Sequence, residues 1–474
     1  MINDVLWGKI CCFKSVNGKL EMNKFGRYSL ILSMFFLSGT NLGLAQNPLI
    51  LDQFTADPTA RVFEGKMYVY PSHDIPAPPG SGVRENWFCM EDYHVFSSEN
   101  LMDWIDHGVI VSQNDVNWVD PNSYSMWAPD CVFKNGKYYF YFPARAKAAA
   151  DGRRRGRGGI GVAVADKPYG PFKCEIQPVQ GARGIDPCVL VDKDGQAYLY
   201  TSMNRIFVAK LKDNMLELDS EMQIISNLPQ KGLIEGPFVF ERNGIYYLTY
   251  PHAANKTERL EYAIGNSPTG PFEHKGVIMD ESPSGCWTNH HSIVEYKGQW
   301  YLFYHDKDLS PDFDKNRSTR ADYLYFNDDG TIQKVIPTLR GVGITNARKE
   351  VQIDRYSAIS PEGVSVAFID PNQKQNGWKT ILTAQDAWVQ YNKVDFGTEK
   401  LNSVLMKTSS PTGGVIDIRV DAIDGPLLAK VEIPDNPDWS VVNSSLLESA
   451  TGIHNLIVIL KDTKTVEIDW IRFE

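Results

Sequence analysis

Cysteine is scarce in this chain, and long apolar runs are scarcer. Only 7 of 474 residues are cysteine, and Cys11 and Cys12 lie near the start. The remaining Cys89, Cys131, Cys174, Cys188 and Cys286 are odd in number and have no tight motif spacing, so they read mostly as buried thiols and do not form a disulfide framework. After the first 45 residues no segment is long and apolar enough to span a bilayer. Positive charge is also in deficit: 48 Lys and Arg stand against 58 Asp and Glu, a net −10 spread along the chain, which argues against nucleic acid as the main partner. Such a surface suits a neutral, polyhydroxylated ligand better. What the chain does have is apolar and aromatic content, 43% and 12%, ample for packed β-cores.

One block recurs five times. A polar or acidic residue, usually beside a Pro, precedes a short apolar strand, a turn containing Gly and an aromatic-rich strand. The copies are DPTARVFEGKMYVYPSHD from Asp57, WAPDCVFKNGKYYFYFPA from Trp127, IDPCVLVDKDGQAYLYTSM from Ile185, EGPFVFERNGIYYLTYPH from Glu235 and NHHSIVEYKGQWYLFYHD from Asn289. A β-repeat of roughly 50 to 70 residues is the signature of a radial array, here a five-bladed β-propeller over residues 46–347. Inner-strand ends of a propeller crowd round one channel, so Asp57, Trp127, Asp186, Glu235 and His290 are expected to converge. Asp130 also follows a Pro but sits two residues out of register, and is left out of that set.

The ends of the chain read differently. Met22 to Gln46 places Lys24 and Arg27 ahead of an apolar run and the small residues Gly43 and Ala45 at its end, the pattern of a secretory signal cut before Gln46. Residues 1–45 are therefore read as leader, and the mature protein as secreted or periplasmic. Residues 145–159, ARAKAAADGRRRGRGG from Ala144, are too basic and Gly-rich for a strand interior and read as an exposed loop: a solvated insert, or a contact for an acidic glycan or partner. Over 348–474, short strand-like runs separated by turn signals predict a β-sandwich.

These motifs resemble a known family. DPTARVFEGKMYVYPS, GIDPCVLVD and LIEGPFVFERNGIYYLTY are similar to the three acidic motifs of glycoside hydrolase family 43, and WVQYNKVDFG, DGPLLAKVEIP and VEIDWIRF resemble a family 6 carbohydrate-binding module. The resemblance implies an inverting glycosidase with Asp57 as base, Glu235 as acid, and Asp186 raising the pKa of Glu235 and orienting it. It also implies a sugar contact from Arg317, with Arg320 standing where a His is common. A central cation or its waters is implied near His290; one imidazole does not define a zinc site, so calcium held mostly by water fits best. Trp127 offers either an apolar face for the sugar ring or packing between blades, and Trp87, Phe88 and Trp287 are candidates for the rim. In the sandwich, Trp388, Tyr391 and Trp439 serve either as glycan contacts or as core.

The expected activity is exo-hydrolysis of terminal α-L-arabinofuranosyl or β-D-xylosyl residues from plant cell-wall polysaccharide. Endo-acting xylanase or arabinanase and galactosidase remain alternatives on the same fold, as does a glycan-binding propeller without activity. Retaining fructan enzymes are disfavoured, because Ile185 and not Arg precedes Asp186-Pro187.

Overall fold

The computed structural model describes residues 47–148, 158–229, 231–373 and 376–474. The expected signal segment lies outside these, as does most of the basic loop. Among the described residues no helix is long and apolar enough to cross a membrane, and Cys89, Cys131, Cys174, Cys188 and Cys286 are all free thiols.

Each repeat unit forms one sheet. Blade 1 comprises Phe54–Phe63, Lys66–Asp74, Asp92–Ser98 and Ile105–Ser112. Blade 2 begins at Asp130–Lys134, blade 3 at Ile185–Val191, blade 4 at Leu233–Ile234 and Phe238–Arg242, and blade 5 at Ser292–Tyr296. The first hairpin of blades 1, 2, 4 and 5 turns on a residue pair with positive φ at both positions: Glu64-Gly65, Asn135-Gly136, Asn243-Gly244 and Lys297-Gly298. That turn matches the right-handed twist of the strands it joins, and Gly takes its second position without a Cβ penalty. The apolar clusters lie between neighbouring sheets. Tyr70, Tyr93 and Phe140 join blades 1 and 2, and Tyr200, Phe238 and Tyr304 belong to a cluster joining blades 3, 4 and 5.

The ring closes between its first and last elements. The Leu49 N–H donates to Thr319 O at 2.8 Å, and the Asn47 side chain both donates to and accepts from the Ala321 backbone, at 3.1 and 2.9 Å. Thr55 N–H donates to Arg317 O at 2.9 Å, and Ala60 N–H to Ser292 Oγ at 2.8 Å.

The C-terminal sandwich has two sheets around a core of Val389, Tyr391, Ile418, Leu456 and Ile468. Its first contribution is Thr345–Asn346, pairing parallel with Trp388–Asp395, so the sandwich sheet begins just before the expected division at 347/348. Arg340 is buried at this passage. It donates to the carbonyls of Asn392, Val342 and Gly343 and lies 4.5 Å from the Tyr391 ring. Tyr391 is therefore core, whereas Trp388 and Trp439 are half-buried.

Candidate active site

The three acids occupy interruptions in the inner strands. Pro58, Pro187 and Pro237 have no N–H to give a ladder, and pairing is broken at each: between Ala56 and Thr59, between Ile185 and Cys188, and between Ile234 and Phe238. Asp57 and Asp186 each precede the Pro directly and have φ of 47° and 53°. Glu235 stands one residue earlier, because Gly236 fills the corresponding position with φ of 51°. A Cβ on Gly236 would lie 2.9 Å from Pro251 Cγ and 3.0 Å from His290 Nδ1, so a side chain is excluded there.

These breaks open onto a single cavity of about 150 Å³. Asp57, Trp127, Asp186, Glu235, His290 and Arg317 all line it, with Trp87, Phe88 and Trp287. Phe88 and Trp287 are stacked 6.0 Å apart, and Trp87 lies edge-on to Phe88 at 5.4 Å. Every site residue expected from sequence thus reaches the same cavity.

Asp57 is held as an anion. Its oxygens accept from Arg317 Nη1 at 2.7 Å, Arg317 Nη2 at 3.2 Å and Ser72 Oγ at 2.7 Å. Burial acts to raise its pKa, but Arg317, His290, His305 and the Ser72 hydroxyl outweigh it and bring the value down to about 2. The Asp57 N–H donates to His305 Nδ1 at 3.0 Å, which puts the imidazole proton on Nε2, facing the Thr288 carbonyl at 3.0 Å. Burial and the adjacent Arg317 push the His305 pKa down to about 3, so this ring is a neutral support.

Arg317 lines the cavity, but its expected free donor fork is already engaged. Besides the two bonds to Asp57, it donates to Asp74 through Nε and Nη2, both at 2.9 Å, and reaches Thr288 Oγ1 at 3.4 Å. A guanidinium has five N–H donors, and here each has a partner. Arg317 therefore positions and charges Asp57, and its outer face, 4.8 Å from the Phe88 ring, is covered. Arg320 is buried near Asp306 and Asp308, at 3.6 and 3.8 Å, and donates to Thr338 O.

Glu235 is held in the opposite protonation state. Burial first, then the neighbouring Glu258 carboxyl, through its charge and a hydrogen bond, and then Asp57 push the Glu235 pKa well above the carboxylate range. Glu258 is itself raised to about 7, by burial ahead of all else, while the Asn289 N–H donating to its Oε2 at 2.7 Å works the other way. Both carboxyls are thus pushed toward the protonated state.

Glu258, immediately before the strand Arg259–Gly265, thus takes the leading charge effect that the sequence assigned to Asp186. Asp186 has a pKa raised to about 7, chiefly by burial, with His290 opposing and Glu235 adding, and so carries only part of a charge near neutrality. Its orienting role has a direct counterpart: Oδ2 accepts from the Gly236 N–H at 3.0 Å, fixing the backbone beside Glu235, and from Ser202 Oγ at 2.9 Å.

His290 makes no hydrogen bond among the described residues, and its Nδ1 lies 3.8 Å from Asp57 Oδ1. It belongs to no group of three close metal-ligating side chains; among the described residues such a group forms only at His73, Asp92 and His94 in blade 1. His291 points elsewhere, to Thr249 Oγ1 at 2.6 Å, and burial keeps it neutral. Asp130, left out of the set, is paired with Arg61 at 2.7 Å and caps the N–H groups of Cys131 and Val189.

Sequence reasoning passed over Glu258, Asp74, His305 and the two serines. A signal existed for some of them: the second strands of blades 1 and 5 both end in His-Asp, and a carboxylate ending an apolar strand needs a partner.

The model of glycosyl hydrolases family 43 matches residues 45–332, and that of carbohydrate binding module (family 6) matches 360–474. Xylosidase/arabinosidase 43A of Humicola insolens is 38% identical over 60% of this chain and 98% of its own length. An arabinoxylan arabinofuranohydrolase of Paenibacillus polymyxa is 27% identical over 92% of this chain and 76% of its own. A solved β-xylosidase/α-arabinofuranosidase from a compost microbial metagenome, in complex with xylotriose and calcium-free, is 36% identical with a TM-score of 0.54, covering 62% of this chain and 98% of that one.

Proposed function

Since the chain belongs to glycosyl hydrolases family 43, we propose that it is an inverting exo-glycosidase that removes terminal α-L-arabinofuranosyl or β-D-xylosyl residues from plant cell-wall polysaccharide. The observation that carries the reading is the opposed protonation of two carboxyls in one cavity, Asp57 with a pKa of about 2 and Glu235 far above the usual range. Environments that push paired acids apart define which is base and which is acid.

Asp57 takes a proton from a water as that water's oxygen attacks the anomeric carbon. The bond to the leaving oxygen breaks on the other face and receives the proton of Glu235, so configuration inverts. Asp186 holds Glu235 in place through Gly236, and Glu258 keeps it protonated. The cavity of about 150 Å³ is below the roughly 300–1,000 Å³ of ordinary ligand pockets, which suits one sugar ring and supports exo action. The family 6 module supports an oligo- or polysaccharide substrate.

Calcium is compatible with the site only through water. His290 offers an open imidazole, but both Asp57 oxygens are taken, and calcium asks for six to eight oxygen ligands. Held there, it would supply positive potential beside the acids, and no step above depends on it. Export, by way of the signal at 22–45, is part of the same proposal.

Chromogenic arabinofuranoside and xyloside hydrolysis, with the product anomer followed by proton NMR, tests the reading. An inverted product that disappears in Asp57→Asn is expected. A retained anomer overturns the mechanism, and no release of either sugar overturns the substrate class.

A further inference from the structure

A second cavity, of about 440 Å³, adjoins the first. The two share Trp87, Phe88 and Trp127 as a common wall. Since the first holds one ring, the next units of a substrate have to pass over this aromatic wall, whose faces suit sugar rings. Two guanidiniums stand on the far side. Arg84 lies 4.9 Å from the Trp87 ring and Arg145 lies 5.5 Å from the Trp127 ring.

Neither guanidinium has a carboxylate partner among the described residues, in contrast to Arg317 and Arg61, which are saturated by aspartates. One acid, Asp120, lines the same cavity, so two positive charges face one negative. A guanidinium beside an indole that has no carboxylate of its own retains donors that can receive a carboxylate with two parallel bonds. A neutral sugar needs no such pair.

We infer that this second cavity binds a carboxylate-bearing sugar unit on the leaving-group side, so that the enzyme favours oligosaccharides carrying a uronic acid next to the residue it removes. The inference rests on the proposed glycosidase reading for its direction, leaving group outward, but the binding it requires is measurable without turnover.

The test compares xylotriose with xylotriose bearing one glucuronosyl substituent. Binding to Asp57→Asn enzyme is read by calorimetry, and kcat/KM on both is read in wild type. The substituted sugar is expected to bind about tenfold more tightly at low salt, about 1.4 kcal/mol. The ratio should fall to near one in Arg84→Met/Arg145→Met and at high salt, which screens exposed charge; the salt arm decides if the double variant does not fold. Equal binding of the two sugars overturns the inference, as does a preference that survives both changes. Free glucuronate competing as well as the whole glucuronosyl-substituted xylotriose also overturns it, by showing a general anion site. Preferred binding without hydrolysis of either sugar sinks the glycosidase reading and leaves the cavity's specificity standing.

Discussion

Blades 1 and 3 make the same device and put it to different uses. In each, a Pro interrupts the inner strand, the residue before it has a φ near +50°, and a Ser hydroxyl from the second strand donates to the buried Asp, Ser72 to Asp57 and Ser202 to Asp186. Yet one carboxyl has a pKa of about 2 and the other about 7. The local fold decides where an acid stands; the charges that reach it decide what it does. Asp57 has Arg317 across the ring closure, whereas Asp186 has Glu235.

The comparison can be broken most severely at Asp57. Asp57→Asn removes the carboxylate we propose as base, and kcat on a chromogenic glycoside is expected to fall by about 10²–10⁴-fold, the usual worth of a general base. Asp186→Asn keeps the acceptor shape toward Gly236 but removes the charge. A smaller loss is expected, about 10–100-fold in kcat, on the scale of a misplaced group, with little change in KM.

Asp74→Ala separates the charge from its scaffold. Arg317 loses one of two buried partners, and breaking such a pair costs about 3–5 kcal/mol. Denaturant unfolding should show that loss; a variant as stable as wild type would mean that Asp57 alone anchors the arginine.

Glu258→Gln is the finest probe. Its charge raises the Glu235 pKa, so replacing it with an amide should move the alkaline limb of kcat/KM to lower pH, because Glu235 must be protonated to act. The limb governed by Asp57, which stays ionised until pH falls to about 2, should not move. An unshifted alkaline limb would assign the tuning of Glu235 elsewhere.

The same contrast explains what was readable in the sequence. Asp57, Asp186, Glu235, Trp127 and His290 stand at or near one register position of a repeat, so aligning the copies finds them. Glu258 precedes a third strand and has no counterpart in the repeat, while Asp74 and His305 lie at the ends of second strands, where only the His-Asp shared by blades 1 and 5 marks them. Arg317 was found through resemblance, but its bonds to Asp57 and Asp74 were not, because sequence does not reveal which donors are already engaged. The strand pattern also did not show that the acids sit at breaks inside the inner strands, although a Pro one or two residues after each of them was the physical cause.

The ring's closure has a consequence for how the protein comes into being. Asp57 is made early and Arg317 comes 260 residues later, with Asp74 and Thr55 waiting for the same residue and Ala60 for Ser292 at the start of the last blade. A chain still under synthesis therefore has its acids in hand but no ionised base beside a fixed arginine. Catalytic competence arrives as a late event, with the same hydrogen bonds that shut the circle, and any loosening of that junction would silence the enzyme while most of its blades remain folded.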